Sequence, residues 1–300
     1  MAFKSGFVAI VGRPNAGKST LLNTLLDQKV AIVSDKPQTT RNAIRGILTR
    51  DDFQIIFIDT PGIHKPKHKL GRNMNKESYA SLSGVDAAYL IVDGTEAIGS
   101  GDRFVLDILK THKIPVLLIL NKIDLLPKEK LLDHLDRWNQ EFDFAEVIPV
   151  SALKQRNIDR LLKVTLDYLE EGVMYYPEGQ KSDYPQQFII SEIIREKVLK
   201  LTEQEIPHSV AVVVESMTQK KDKLVIQAII VVERDSQKGM IIGKQGAMIK
   251  HIGQLAREEL EMITQTSVYL ELFVRVEKNW RDRQTLLSKL GYVEPVMDDD

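Results

Sequence analysis

The chain has 300 residues, with 41 Lys plus Arg against 42 Asp plus Glu, six His and no Cys, for a formal net charge of −1. That balance argues against a histone-like or tail-driven binder of polyanions. The missing Cys excludes disulfides, thiolate metal sites and Cys nucleophiles, and agrees with a reducing cytosol.

At roughly 150 residues per domain the length fits about two domains, and 43% hydrophobic with 28% charged residues is an ordinary globular composition. The first eleven residues run into Gly12-Arg13-Pro14-Asn15 with no small-residue cleavage site, so no signal peptide is expected. Short apolar runs at 7–11, 43–48, 54–58, 87–92, 116–120 and 147–150 read as strands. Segments of helical period lie at 18–26, 103–110, 129–138 and 158–169. The apolar runs 87–92 and 114–120 fall far short of the roughly 18 residues of a membrane span. Strands alternating with helices predict an α/β domain over 1–171, a mostly parallel sheet with helices on both faces and ligand sites beyond the carboxyl ends of its strands. Gly172, Pro177, Gly179 and Pro185 mark 172–187 as a linker. Beyond it a helix at 188–201, strands at 209–214 and 224–232 joined across 218–223, a Gly-punctuated helical region at 239–262 and a strand at 267–276 predict a smaller α+β domain over 188–300. Its end, Asp298-Asp299-Asp300, reads as a frayed tail.

Gly12-Arg13-Pro14-Asn15-Ala16-Gly17-Lys18-Ser19 fits GxxxxGK[ST] between a strand and a helix. Gly12 and Gly17 let backbone N–H groups turn toward phosphates, Lys18 reaches the outer phosphates and Ser19 ligates Mg²⁺; Asn15, Ala16 and Thr20 complete the loop's binding residues. Asp59-Thr60-Pro61-Gly62 follows a strand, so Asp59 can hold a Mg²⁺-bound water and the Gly62 N–H can sense a terminal phosphate. Asn121-Lys122-Ile123-Asp124 closes another strand. A carboxylate at Asp124 can accept from the ring N–H and the amino group of guanine, two donors that adenine does not offer. The stem of Lys122 can cover the base, and Ser151-Ala152-Leu153 can give a backbone N–H to its carbonyl. These motifs in order, each at a strand end, point to a GTPase converting GTP and water to GDP and phosphate.

Residues 1 to about 170 resemble a translation-factor-class small GTPase. The resemblance implies that a Thr of the first switch loop, Gln38-Thr39-Thr40-Arg41, ligates Mg²⁺ and touches the γ-phosphate; Thr40 is the first candidate and Thr39 the second. It places Lys18, Thr40 and Gly62 at the reacting phosphate. Ile63 stands where Ras-like enzymes have a water-orienting Gln, so no catalytic residue is assigned there. Relatives with that substitution and an Asn like Asn15 can use K⁺ in place of an arginine finger, which makes Asn15 the candidate K⁺ ligand. His64 and His68 are four apart, but Pro66 argues against a helix pairing them on a metal; a solvated second switch fits better.

In the second domain Gly243-Lys244-Gln245-Gly246 forms a GxxG loop between apolar helical turns, and 236–257 holds Lys238, Lys244, Lys250 and Arg257 with no carboxylate. Such a loop lets a nucleic-acid backbone approach closely while a groove beside it holds about four unpaired nucleotides. Lys238, Gly243, Lys244, Gln245, Gly246 and Lys250 are the candidate RNA contacts, with Ile241, Ile242, Met248 and Ile249 as core and groove floor. With Glu205 to Ser209, 233–238 and Lys278-Asn279-Trp280-Arg281 the domain resembles a type II KH domain, although the family's usual loop has Gly at the position of Gln245. A GTPase followed by this domain resembles the bacterial Era family. That implies a monomeric GTP/GDP- and Mg²⁺-binding switch that binds small-subunit ribosomal RNA near its 3′ end and assists 30S maturation, cytoplasmic with peripheral contact at the inner face of the membrane. Against the alternative, a signalling or membrane-surface GTPase whose second domain binds protein or lipid, stand the basic GxxG segment for the protein-binding form and, for the membrane form, the lack of an evident amphipathic anchor or lipidation motif.

Overall fold

A computed structural model describes residues 2–36, 38–63, 66, 68–203 and 205–292. The expectations for His64 and for the acidic end Asp298 to Asp300 lie outside the described residues. The chain divides into two compact units: residues 1–33, 40–66 and 74–183 form the first, and residues 34–39, 67–73 and 184–300 the second.

In the first unit the strands are β1 (Lys4–Val11), β2 (Ile44–Thr49), β3 (Phe53–Asp59), β4 (Ala87–Asp93), β5 (Val116–Asn121), β6 (Glu146–Pro149) and the short β7 (Glu170–Glu171). They form one sheet in the order β2-β3-β1-β4-β5-β6, with β7 paired to β1. β3, β1, β4, β5 and β6 are mutually parallel; β2 on β3 and β7 on β1 are antiparallel. The helices are α1 (Lys18–Leu26), α2 (Lys69–Ala80), which contributes its residues from Met74 onward, α3 (Ser100–Leu109), α4 (Lys128–Glu141) and α5 (Ile158–Thr165). β4 shows why the strands are apolar without interruption. Ala88, Leu90 and Val92 share a core with Val105, Leu106 and Leu109 of α3, while the Tyr89 hydroxyl on the other face meets Thr165 of α5. Strands covered on both faces need apolar side chains at every position, and each fully buried one contributes about 1.5–3 kcal/mol. The doubly covered parallel sheet is the fold expected from the sequence.

Two features differ from the sequence reading. The helix α2 was not expected; it begins three residues after Pro66. Most of the expected linker lies on the first unit. Gly172 N–H donates to Phe3 O at 3.0 Å, Ile47 N–H donates to Lys181 O at 2.9 Å, and Gly46 bridges Ser182. Gln54, fully buried, ties the middle of the segment: its Oε1 accepts from Tyr175 N–H at 2.8 Å and Tyr176 N–H at 3.0 Å, and its Nε2 donates to Tyr176 O at 2.8 Å.

The second unit carries α6 (Gln186–Leu201), α7 (Ile206–Ser209), β8 (Ala211–Lys220), β9 (Lys223–Val232), α8 (Asp235–Ile242), α9 (Ala247–Thr264), β10 (Ser267–Val276) and α10 (Gln284–Lys289). β9 is central, antiparallel to β8 and parallel to β10. The hairpin from β8 to β9 is tighter than the polar stretch 218–223 suggested, with pairing maintained to Lys220 and Lys223. Ile226, Ala228, Ile230 and Val232 of β9, Ile193, Ile194 and Val198 of α6 and Ile252, Ala256 and Leu260 of α9 are buried. Trp280 is fully buried, and its Nε1 donates to Ser209 O at 2.9 Å.

Replacing Gln54 with Leu strands the Tyr175 and Tyr176 amides and should destabilise the first unit by roughly 2 kcal/mol. Amide exchange at residues 175 and 176 should quicken selectively; unchanged protection there would show that the segment is held without Gln54.

Candidate functional site

The carboxyl ends of β1, β3 and β5 place the three expected motifs along one edge of the first unit's sheet. The phosphate loop turns from β1 into α1 through Gly12 (φ 153°), Asn15 (φ 66°) and Gly17 (φ 99°). Lys18 opens α1 and is 6% exposed, and its Nζ donates back to Gly12 O at 3.1 Å and Arg13 O at 2.9 Å. Thr20 lies in the first turn of α1, Ala16 is buried and Asn15 is exposed.

Ser19, Thr40 and Asp59 come together. Ser19 Oγ donates to Asp59 Oδ2 at 2.7 Å and lies 2.8 Å from Thr40 Oγ1, which is 3.5 Å from the same carboxylate oxygen. Thr39 instead donates to Lys36 O at 2.6 Å. Asp59 is fully buried, and its Oδ1 has no hydrogen-bond partner. An orphaned carboxylate oxygen beside two hydroxyls is a donor set suited to Mg²⁺, which takes oxygen ligands. Burial pushes the Asp59 carboxyl up to about 6, with Lys18, Ser19 and Thr40 offsetting part of that rise. Burial likewise brings the Lys18 ammonium down to about 8, against the pull of Asp59. Each group bears a charge that the protein alone satisfies incompletely.

Gly62 lies directly against the phosphate loop. A Cβ there would stand 2.9 Å from Pro14 Cγ and 3.0 Å from Pro14 N, closer than side chains approach. Ile63 is 3% exposed within the apolar core of Ala9, Val11 and Leu90. Its side chain is committed to packing and cannot hold a water.

At the end of β5, Asn121 is a strut. Its Nδ2 donates to Ala16 O at 2.9 Å and its Oδ1 accepts from Ala152 N–H at 3.0 Å, joining the phosphate loop to the loop 151–153. The sequence motif alone did not distinguish that role from base contact. Ser151, fully buried, donates from Oγ to Asp124 Oδ1 at 2.5 Å and so orients the carboxylate. Lys122 takes a left-handed φ of 64°, which turns its side chain off the strand line. Leu153 is 73% exposed beside these groups.

In the second unit the expected loop joins α8 to α9. Gly243 has φ 72° and ψ 176°, and a Cβ there would stand 2.7 Å from Met248 Cβ. Gln245 is held at φ 52° and Gly246 at φ 78°, which supplies the physical reason for the family's usual Gly at 245. Lys244, Gln245 and Lys250 are exposed and Lys238 is half-buried. Beside the loop runs a cavity of about 460 Å³, lined by Ile249, Lys250, Gly253 and Arg257 of α9 and by Tyr269 and Leu272 of β10, among others. Ile241 is buried in the core, while Ile249 lines the groove. Arg257 and Tyr269 were not among the expected contacts. The i, i+3, i+7 spacing of Lys250, Gly253 and Arg257 was the available signal for the α9 side; Tyr269 could be placed only through the packing of β10 against α9.

Protonated Asp59 must lose its proton to solvent when a cation binds, so Mg²⁺ affinity of the GDP-loaded protein should fall about tenfold per pH unit below pH about 6 and level off above about 7. A magnesium titration of wild type and D59N checks this, because D59N should lack the step. Wild type flat from pH about 5 to 7 would contradict it.

Two family models match the chain: a 50S ribosome-binding GTPase over residues 7–122 and a KH domain over residues 205–281. A point variant of Aquifex aeolicus Era bound to GDP·AlF4⁻ is 41% identical, with a TM-score of 0.94 over 97% of this chain and 100% of that one. Era in complex with MgGDPNP and nucleotides 1506–1542 of 16S ribosomal RNA is also 41% identical, with a TM-score of 0.94 over 97% and 99% of the two chains. At that identity over nearly the full length of both chains, the chain belongs to the Era family of GTPases.

Proposed function

We propose that this protein is a GTP-hydrolysing switch whose KH unit binds the 3′-terminal segment of small-subunit ribosomal RNA and assists 30S maturation. The observation that carries the reading is the coexistence in one chain of three strand-end motifs, at 12–19, 59–62 and 121–124, along one sheet edge with a GxxG loop, its Lys244 and Gln245 exposed, beside a groove rimmed by Lys250 and Arg257. The related Era complex with nucleotides 1506–1542 of 16S ribosomal RNA supports that choice of RNA.

In this reading Asp124 accepts two hydrogen bonds from guanine, the stem of Lys122 covers the base and the N–H groups of 151–153 meet its carbonyl. The phosphate-loop amides, Lys18 and the Gly62 N–H hold the phosphates. Mg²⁺, on Ser19, Thr40 and, through water, Asp59, neutralises charge developing on the transferred phosphoryl group. Asn15, exposed at the loop's tip, is the residue offered to K⁺. GTP orders the residues around Thr40 and Gly62, and that order biases RNA affinity through differential binding. Lys238, Lys244 and Lys250 supply phosphate contacts, while Gly243, Gln245 and Gly246 leave room for the RNA backbone. The protein acts as a cytoplasmic monomer with peripheral membrane contact. Among the described residues no helix is long and apolar enough to cross a membrane.

Asp124→Asn replaces an acceptor by an amide that can donate to the 2-oxo group of xanthine. GTP affinity should drop by about two orders of magnitude while xanthosine triphosphate gains; retained GTP selectivity would overturn the guanine assignment. Gly243 is unsuited to testing the RNA site, since any Cβ there strains the loop. The exposed pair offers a cleaner variant: K244D/Q245D should weaken binding of a 3′-terminal 16S fragment roughly tenfold and reduce the salt slope by about 1, with GTP affinity unchanged. Equal RNA affinity would sink the KH reading.

A further inference from the structure

The segment from the last residue of β4 into the first turn of α3, residues 93–102, belongs to none of the nucleotide motifs, yet carboxylates within it hold a residue of two of them. Asp93 closes β4 in register with Asn121 at the end of β5. Its Oδ2 accepts from Lys122 Nζ at 2.5 Å, and its Oδ1 accepts from the N–H and hydroxyl of Thr95 at 2.9 and 2.6 Å. Gly94 N–H donates to Asn121 O at 2.8 Å, fastening the loop to the same strand end. In the first turn of α3, Asp102 is buried and its Oδ2 accepts from Arg13 Nη1 at 3.1 Å and from Gly99 N–H at 2.9 Å. Glu96 accepts from the same Nη1 at 3.2 Å.

Both anchored cations are parts of the nucleotide edge. Arg13 is the second residue of the phosphate loop, and Lys122 is the residue whose stem covers the base. A lysine side chain left free samples many rotamers, so fixing it before the nucleotide arrives removes an ordering cost from binding. Burial raises the Asp93 carboxyl, but hydrogen bonds from Lys122 and Thr95 outweigh it and hold the group below the ordinary carboxylate range. The anchor is therefore charged at neutral pH.

We propose that the segment 93–102 is a positioning element of the nucleotide site, in which Asp93 at the end of β4 sets Lys122 at the base end and Asp102 in the first turn of α3 sets Arg13 in the phosphate loop. This rests on the guanine-site reading above.

The test uses the full chain, with stopped-flow release of a fluorescent GDP and steady-state GTP hydrolysis. D93A should release GDP roughly tenfold faster and raise KM with little change in kcat, the loss expected for one charge-assisted hydrogen bond. D93N, which keeps an acceptor for the ammonium, should regain most of that loss. D93A/K122A should release no faster than K122A alone, because Asp93 acts only through the lysine. D102N should raise release severalfold, an effect absent in an R13A background. Wild-type release from D93A, multiplying effects of D93A and K122A, or a fall in kcat matching the rise in KM would each overturn the proposal. The xanthine preference of D124N separates the two levels. If that preference appears while D93A is silent, only the positioning role falls; if it fails, the base site itself is wrong.

Discussion

A buried ammonium at the start of α1, where the loop leaving β1 ends, and a buried carboxylate at the end of the adjacent parallel strand β3 set the terms for the first unit. Ile10 of β1 is in register with Asp59 of β3, so the loop leaving one strand and the acid ending the other meet by the geometry of the sheet. Both charges have lost water, and their mutual attraction repays only part of that cost, which is why Lys18 is shifted down and Asp59 up. A polyphosphate and a divalent cation supply what is missing. The close seat of Gly62 on Pro14 and the strut of Asn121 between Ala16 and Ala152 then extend that pair into a continuous edge.

The second unit solves a different problem. A groove that accepts unpaired bases must stay open in the free protein, and its rim must carry cations that do not collapse onto neighbouring carboxylates. The carboxylate-free stretch around the GxxG loop meets the second need, and the packing of α9 against β10 meets the first. The loop itself is backbone-driven: three of its four residues have positive φ. One of those is Gln245, where glycine would be the unstrained choice.

The nucleotide motifs were legible because each is a short contiguous string whose role depends on sitting at a strand end, and apolar runs mark strand ends well. Roles shared between distant segments were not legible. Nothing in Asn121-Lys122-Ile123-Asp124 says that the Asn braces two loops; that follows from atoms of residues 16 and 152. The helix α2 escaped because its side chains are mostly polar and Pro66 precedes it. The segment 172–183 resembles a connector, since Gly and Pro are frequent there, and its attachment runs through backbone groups and the single side chain of Gln54. The groove wall at Tyr269 needed the pairing of β10 with β9 before it could face α9.

The path of that segment also settles what happens at the rim of the sheet. β2 is the terminal strand, antiparallel and apolar in part, and an open strand of this kind is a template for pairing with another molecule. Lys181 O takes the Ile47 amide, Ser182 bridges Gly46, and Arg45 pairs with Asp183 at 3.1 Å. The opposite rim is β6, four residues long and ended by Pro149. The same stretch of chain that continues toward the second unit thus caps an edge that would otherwise recruit strands from other copies, which protects a sheet whose remaining strands are almost wholly apolar.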